Sequence, residues 1–210
     1  MATILRDLSY RYQWLYDSIS RLSALTIGGE KRFRQLPLEN LKIDQQTKIL
    51  DLCCGSGQAT GFLVQYSDHV TGLDASSLSL TRAKRNVPEA KYVEGWAENM
   101  PFSPGEFDLV HTSAALHEMS ELQLQQILAE VYRVLKPGGI FTLADFHQPT
   151  NMAFWPAIAL FFWLFETETC WQFIQQDLKK LLTDVGFTII RSNYYAGGSL
   201  QVIQAEKSIN

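Results

Sequence analysis

The stretch Lys48–Gly57, which reads K-I-L-D-L-C-C-G-S-G, contains the signals that decide the fold. An apolar run carries Asp51, and Gly55 and Gly57 follow it with one residue between them. This pattern predicts a buried strand, a tight turn and then a helix, because glycine adopts turn conformations that other residues avoid and lets a ligand approach the backbone. Ligands of open α/β sheets bind at the carboxyl ends of the strands, so this loop is a candidate ligand site. The alternative interpretation is an ordinary strand-to-helix turn.

Short apolar runs alternate with amphipathic segments beyond this stretch, which predicts βαβ units and a parallel sheet with helices on both faces. We predict strands over residues 48–54, 69–73, 90–94, 107–112 and 140–144, and helices over 58–66, 77–85, 121–135 and from about 171. Two final runs, Phe187–Ser192 and Leu200–Ala205, lie close enough in sequence to pair antiparallel. The fold class predicted is α/β: a Rossmann-like, seven-stranded, mostly parallel sheet that ends in an antiparallel hairpin.

Composition and charge limit the classes of function. The 210 residues are 46% hydrophobic and 19% charged, which is typical of a globular domain. The net charge is −4, and the basic cluster Lys31, Arg32 and Arg34, in a predicted loop, is too short for a general nucleic-acid surface. Three cysteines, two of them adjacent, match neither a disulfide framework nor a zinc motif, so we expect no metal and a reducing, cytoplasmic location.

We predict a single domain over residues 1–210 with three parts. Residues 1–44 form an N-terminal helical cap, in which a helix over Ile4–Leu25 is rich in aromatic side chains. Residues 45–206 form the Rossmann-like core, and residues 148–170 form an apolar lid inserted after the fifth strand. The oligomeric state stays open.

Asp74 gives a second signal that is in register with the glycines. It ends the second strand, about 20 residues past them, where an acidic side chain accepts hydrogen bonds from both hydroxyls of a ribose. Thr60 stands where a dinucleotide fingerprint has its third glycine, and the Gly-Lys-Ser/Thr of a phosphate-binding loop is absent. The pattern therefore indicates a cofactor that contains adenosine and no pyrophosphate.

At this point the chain resembles class I S-adenosylmethionine-dependent methyltransferases over residues 45–206. The matching segments come in the family's order: Asp51–Gly57, Asp74, Gly95–Phe102, Phe107–Val110 and Arg133–Gly139. The resemblance implies S-adenosylmethionine as cofactor and contacts to it from these residues: Asp51, Cys53, Gly55, Gly57, Asp74, Ala75, Trp96, Ala97 and Thr112. Cys53 replaces the motif's first glycine. Trp96 replaces a common acidic residue, and it either stacks near the adenine or packs in the core.

Within that class, the chain is most similar to the ubiquinone/menaquinone biosynthesis C-methyltransferases, especially the cyanobacterial type that acts on demethylphylloquinone. Asp51–Gly57, Tyr16-Asp17 and Asp145–Asn151 carry this similarity. The segment Ser113–Met119 departs from the quinone enzymes. The resemblance implies methyl transfer to a small apolar acceptor such as a prenylated quinol.

Three side chains are candidates for the catalytic base that such an acceptor needs: His117 after the fourth strand, and Asp145 and His147 after the fifth. All are expected at the sheet's carboxyl edge. The alternative for each is a hydrogen bond within a loop or a helix cap, and some methyl transfers need no base. His111, inside the fourth strand, either contacts the cofactor or packs.

The apolar run Met152–Phe165 needs its own explanation. It is shorter than the roughly 20 residues that span a bilayer. Three functional interpretations remain for this segment: an aromatic lid over an apolar acceptor, a peripheral membrane contact and a dimer contact. The alternative interpretation is a buried helix that caps the sheet.

Two other functions remain as alternatives. Tyr132 and Lys136 match the Tyr-x-x-x-Lys pair of NAD(P)-dependent short-chain oxidoreductases, although the glycine spacing argues against that class. A protein that binds S-adenosylmethionine without catalysis would carry the same cofactor motifs.

Overall fold

The computed structural model describes residues 27–209. Its seven strands form one sheet in the order β3-β2-β1-β4-β5-β7-β6. The strands are β1 Ile49–Leu52, β2 Val70–Asp74, β3 Lys91–Glu94, β4 Phe107–Ser113, β5 Leu135–Phe146, β6 Phe187–Tyr195 and β7 Leu200–Lys207. Strands β1 to β5 pair in parallel, and β7 pairs antiparallel with both β5 and β6. The predicted fold class is confirmed.

Helices surround this sheet. They are α1 Glu30–Gln35, α2 Thr60–Leu63, α3 Ser77–Asn86, α4 Glu121–Val134, α5 Trp155–Phe165, α6 Glu168–Phe173 and α7 Leu178–Val185. Short 3₁₀ turns cover Leu36–Leu38, Leu116–Glu118, Met152–Phe154 and Ala196–Gly198. Helix α4 begins at a capping box, in which Ser120 and Gln123 satisfy each other's backbone N–H groups. Within residues 27–209, no helix is long and apolar enough to cross a membrane.

The predicted boundaries need several corrections. The basic cluster is not in a loop, since Arg32 and Arg34 belong to α1. The helix predicted over 58–66 shrinks to α2, because turns occupy both of its ends. The helix expected from about Trp171 begins earlier, at Glu168.

Helix α7 was missed, although local signals mark both of its ends. The Asp177 side chain accepts from the Lys180 N–H at the start, and Gly186 ends the helix in the left-handed region. The predicted helix over Ile4–Leu25, with Tyr16-Asp17, lies outside the described residues.

The central strands are continuous apolar runs in the sequence because they are buried on both faces in the core. All four residues of β1 are buried, as expected where helices cover both faces of a parallel sheet. Helix α4 packs on the sheet through one apolar face, made by Leu124, Ile127, Leu128, Val131 and Val134. The strand order reverses between β1 and β4, so a crevice opens at the carboxyl ends of these two strands.

Candidate functional site

The loop after β1 turns tightly at this crevice. Cys53, Gly55 and Gly57 all have positive φ values, of 56°, 54° and 85°. Cys53 therefore holds a conformation that usually costs a non-glycine residue about 1 kcal/mol or more, which explains why glycine is usual there. A side chain at Gly57 would contact the backbone of Ala83, whereas one at Gly55 would meet nothing within 4 Å. The open face of the loop, at Gly55, is where a ligand can approach bare backbone.

Asp74 closes the loop from the end of β2. Its Oδ2 accepts from the Gly55 N–H at 2.9 Å, and its Oδ1 accepts from the Ser76 N–H at 2.9 Å. Each carboxylate oxygen has two acceptor sites, so one on each remains for the ribose hydroxyls that the sequence assigned to this residue. Ala75 follows at the exposed end of β2.

Asp51 and His111 form a buried pair under the loop. His111 Nδ1 lies 3.0 Å from Asp51 Oδ1, and the Thr60 hydroxyl donates to Asp51 Oδ2 at 2.6 Å. Both side chains of the pair are almost fully buried. Of the two interpretations of His111, a cofactor contact or a packed side chain, the structure shows the packed one. Thr60, which stands in the third-glycine position, connects α2 to β1 through its bond to Asp51.

The charge around Cys53 is negative. Burial raises the pKa of its thiol well above the usual range, and the carboxylates of Asp74, Asp51, Glu118 and Glu98 raise it further. A neutral thiol in this field is a poor nucleophile. The same carboxylates favour a cationic ligand group at this point.

The remaining predicted cofactor residues lie around the same crevice. Trp96 is 65% exposed, so its interpretation as a packed core residue is wrong. Ala97 is buried beside it. Thr112, near the end of β4, is fully buried, and its Oγ1 has no hydrogen-bond partner among residues 27–209. This hydroxyl lies near the carboxyl end of β4, and its hydrogen-bonding capacity is unused among the described residues.

The structure brings two of the three catalytic candidates into contact. His117 Nδ1 lies 2.6 Å from Asp145 Oδ1, and its Nε2 lies 3.4 Å from Glu166 Oε2. Asp145 also accepts from the backbone N–H groups of Ala115, Leu116 and Phe146. Burial alone would lower the pKa of His117, but the charges and hydrogen bonds of Asp145 and Glu166 outweigh it and raise the pKa to about 10. At neutral pH the ring is therefore an imidazolium between two carboxylates.

His147, the third candidate, has other partners. Its Nδ1 lies 2.9 Å from the Gly198 carbonyl oxygen, and its ring lies 4.4 Å from that of Tyr194. A carbonyl only accepts, so Nδ1 carries the hydrogen and the neutral ring has its lone pair on Nε2. The ring lines a cavity of about 380 Å³, which Lys179 and Gln201 also line.

Sequence reasoning missed four residues of this region: Arg34, Glu98, Glu118 and Glu166. Glu166 had the clearest signal, because it is the first charged residue after the apolar run and it caps the end of α5. Arg34 had none, since its partners are far away in sequence.

The apolar run itself is half buried. Phe162 of α5 is fully buried, and its ring lies 5.1 Å from that of Phe146 and 5.4 Å from that of Trp171. Leu160 and Trp163 are exposed by 55% and 69%. The segment is thus buried on one face and exposed on the other, and both its use as a lid and the alternative of a helix that caps the sheet stay predictions.

The oxidoreductase pair lies at the opposite edge of the sheet. Lys136 pairs with Asp108 at the amino-terminal end of β4, with 2.5 Å between Nζ and Oδ1. The Tyr132 ring packs against Phe187 at 5.0 Å and lies under the Lys207 ammonium. Neither side chain is near the glycine loop, so this alternative is wrong.

Comparisons with known proteins agree with this geometry. A profile of the methyltransferase domain matches residues 49–139. A TehB-like S-adenosylmethionine-dependent methyltransferase of Corynebacterium glutamicum superposes with a TM-score of 0.66 at 21% identity, over 92% of this chain and 96% of the other. The fold and the site thus define a class I S-adenosylmethionine-dependent methyltransferase.

Sequence relatives establish the family to which this chain belongs. Over the full length of both chains, this protein is 61% identical to an uncharacterized methyltransferase of Synechocystis sp.. It is 28% identical to a demethylmenaquinone methyltransferase of Paenarthrobacter aurescens, over 99% of this chain and 86% of the relative. The chain belongs to the class I methyltransferases, and S-adenosylmethionine is its expected cofactor.

The residues present fit this cofactor. The carboxylates around Cys53 suit a sulfonium and an ammonium group, and Asp74 retains acceptor sites for a ribose. Bare backbone at Gly55 lets a ligand lie close, and the Thr112 hydroxyl lacks a protein partner in the described part of the chain. When bound, the cofactor supplies a methyl group activated by the positive charge on sulfur.

Proposed function

We propose that this methyltransferase methylates a carbon atom of a small apolar acceptor, such as a prenylated quinol. The observation that carries the proposal is the aromatic face of α5, which packs on the carboxyl end of β5 through Phe162 and Phe146. An apolar wall at this edge of the sheet matches a lipid-like acceptor better than a polar one. The name of the Paenarthrobacter aurescens relative supports the quinone class.

The proposed cofactor contacts are those that the family motifs assign. Asp74 holds the ribose, and Trp96 and Ala97 flank the adenine. The loop with Cys53, Gly55 and Gly57 and the β2 end at Ala75 supply backbone, and Thr112 supplies a hydroxyl. Asp51 has both of its oxygens engaged by Thr60 and His111, so it acts by fixing the loop.

The three catalytic candidates divide into two roles. His117 and Asp145 form a positioning pair, because an imidazolium with carboxylates at both nitrogens cannot accept a proton. Through Glu166 this pair ties the end of α5 to the ends of β4 and β5. His147 is the proposed base, since its Nε2 can take up the proton that the acceptor loses when the new carbon–carbon bond forms.

Product analysis tests the acceptor class. Purified protein is incubated with S-adenosylmethionine and, separately, with a demethylated prenyl quinol, the same ring without its prenyl chain, and a catechol. We expect a methylated carbon in the first product, and turnover at least tenfold slower without the chain. Methylation of the catechol alone, on oxygen, would overturn the proposal.

The α5 wall provides a matched pair of variants for the same assay. Trp163→Ala changes the exposed face of α5 and Phe146→Leu changes the aromatic wall. Phe146→Leu is expected to raise KM for the prenyl quinol severalfold and Trp163→Ala to leave it unchanged. Equal effects from both would contradict the assignment of this wall to the acceptor.

A further inference from the structure

Lys179, in the first turn of α7, makes no ion pair with the described residues, although the lysine next to it does. Lys180 pairs with Asp184, with 2.6 Å between Nζ and Oδ2. The Lys179 ammonium instead lies 5.6 Å from the centre of the Tyr194 ring. A cation in the first turn of a helix opposes the helix dipole, so an unpaired lysine at this position has a small cost that a bound negative group would remove.

The ammonium lines the cavity of about 380 Å³ that His147 also lines. His147 lies beside the same Tyr194 ring, with 4.4 Å between the ring centres. The Gly198 carbonyl accepts from its Nδ1, which leaves the Nε2 lone pair for a ligand. A cation and a proton acceptor thus converge on one small cavity, whose volume suits an aromatic ring.

Lys179 is the cation of this cavity. Among the described residues that line the cavity, it is the only lysine or arginine, and Asp177 is the only acid. Asp177 Oδ1 accepts from the Lys180 N–H at 3.1 Å, so this carboxylate caps the start of α7. Lys179 is therefore the charged group that a negative oxygen in the cavity would meet.

The cavity lies at the same edge of the sheet as the cofactor crevice. His147 directly follows β5, and Tyr194 lies next to the end of β6, which is parallel to β5 because β7 is antiparallel to both. Strand β5 neighbours β4, whose end borders the crevice. Neighbouring strands are about 4.8 Å apart, so a ring held against His147 lies one strand spacing from that border.

Methyl transfer to a ring carbon needs electron density that a neutral hydroxyl supplies poorly. When the hydroxyl has lost its proton to solvent, its oxygen donates electron density into the ring. The ring carbon then bonds the methyl group, and the sulfur keeps the electron pair of the broken bond. His147 Nε2 takes up the proton that this carbon loses, and the oxygen regains a proton from solvent.

Ionisation of the hydroxyl is the step that a cation assists. The pKa of a phenol such as the tyrosine side chain is about 10, so little of it is ionised at neutral pH. An ammonium beside the oxygen favours the charged form.

We propose that Lys179 is a second catalytic residue, whose ammonium holds the ionised hydroxyl oxygen of the acceptor while His147 faces the proton on the ring carbon. The inference rests on the proposed function, because it requires a hydroxylated aromatic acceptor that is methylated on carbon.

The pH dependence of turnover tests this role. The kcat and KM for the demethylated prenyl quinol are measured without oxygen between pH 6 and pH 10. Lys179→Met is expected to lower kcat about 100-fold at pH 7, the usual effect of removing one group that stabilises a developing oxyanion. It should recover most of this loss toward pH 10, where the hydroxyl ionises unaided. Lys180→Met, at the paired neighbour, should keep the unaltered profile.

Two results would overturn the role of Lys179 alone: equal kcat in Lys179→Met and the unaltered protein, or a loss of kcat that is the same at every pH. In the second case the lysine only shapes the cavity. Should Lys179→Met fail to fold, Lys179→Gln replaces it with the same expectations. An unaltered protein that does not methylate the prenyl quinol overturns the acceptor class itself, and the role of Lys179 with it.

Discussion

The two sides of the sheet differ in how far apart in sequence their contacts lie. On the β1–β3 side, Thr60 and Asp51 bond nine residues apart, and Gly55 and Asp74 bond 19 apart. On the β5–β7 side, His117 and Asp145 are 28 apart, and His147 and Gly198 are 51 apart. The glycine loop and Asp74, on what we call the cofactor side, belong to one βαβ unit. The β5–β7 side, which we propose for the acceptor and call the acceptor side, needs the chain to return from several elements.

This difference matches the two binding tasks: the cofactor is the same throughout the class, whereas the acceptor varies. A local unit keeps its geometry when distant segments change, so it suits a cofactor common to a whole class. The proposed acceptor side is built from segments inserted after β5 and around β6 and β7, which lie apart from the glycine loop in sequence. Variants on the two sides should therefore have separable effects.

The largest effect is expected from Phe162→Ala, in the centre of the acceptor side. Phe162 is fully buried between Phe146 and Trp171, so truncation leaves a cavity and should cost about 3 to 5 kcal/mol of unfolding free energy. Trp163→Ala, on the exposed face of α5, should change it by less than about 0.5 kcal/mol. Denaturant titration measures both, and a loss below about 1 kcal/mol for Phe162→Ala would show that α5 is not firmly docked.

The next effect in size belongs to the cofactor side. Asp74→Ala removes the proposed ribose acceptor and the bond to the Gly55 N–H, so the affinity for S-adenosylhomocysteine should fall about 100-fold, or about 2.7 kcal/mol. Calorimetry measures this affinity, and NAD serves as a ligand that should not bind. Asp68→Ala, an exposed acid before β2, is the control. Unchanged binding by Asp74→Ala would remove this residue from the site.

The pH dependence of stability tests the pair of His117 and Asp145, which joins the end of α5 to the ends of β4 and β5. The folded pKa of His117 is raised to about 10 from an ordinary 6.5. A raised pKa stabilises the folded state fully below pH 6.5, and this contribution is lost as pH rises through 10. The unfolding free energy should thus decline across that window.

His117→Gln should flatten this decline, and His69→Gln, at an exposed site, should leave it as it is. Denaturant titrations at pH 6, 8 and 10 give the comparison. A decline of equal slope in His117→Gln would mean that other groups cause it and that the ring is not held as an imidazolium.

The same contrast explains which features the sequence could predict. Asp74 was located from its spacing to Gly55 and Gly57, because a βαβ unit has a nearly constant length. The mostly parallel sheet and its antiparallel end followed from periodicity and from the short connection before Leu200. These are local signals.

The features that were missed depend on long-range packing. Arg34 meets Ser113, 79 residues away, and no pattern in its own helix marks that contact. Glu166 was visible as a charge after an apolar run, but its pairing with His117 depends on how α5 docks. Trp96 was left between two interpretations, because exposure is set by neighbours that the local sequence does not specify.

The smallest effect is expected from a glycine-to-alanine substitution made once on each side of the sheet, which compares the two sides directly. Gly186 ends α7 with φ 115° and Gly55 turns the cofactor loop with φ 54°. An alanine is strained in either conformation, so each substitution should cost about 1 kcal/mol of stability, with Gly186→Ala the more costly because its Cβ would lie 3.2 Å from the Tyr132 ring. Gly55→Ala has open space around its Cβ, so any loss of affinity for S-adenosylhomocysteine beyond that of Gly186→Ala reports the ligand itself. Equal affinities in the two variants would show that the cofactor does not lie against Gly55, and the loop would then bind it through another part of its backbone.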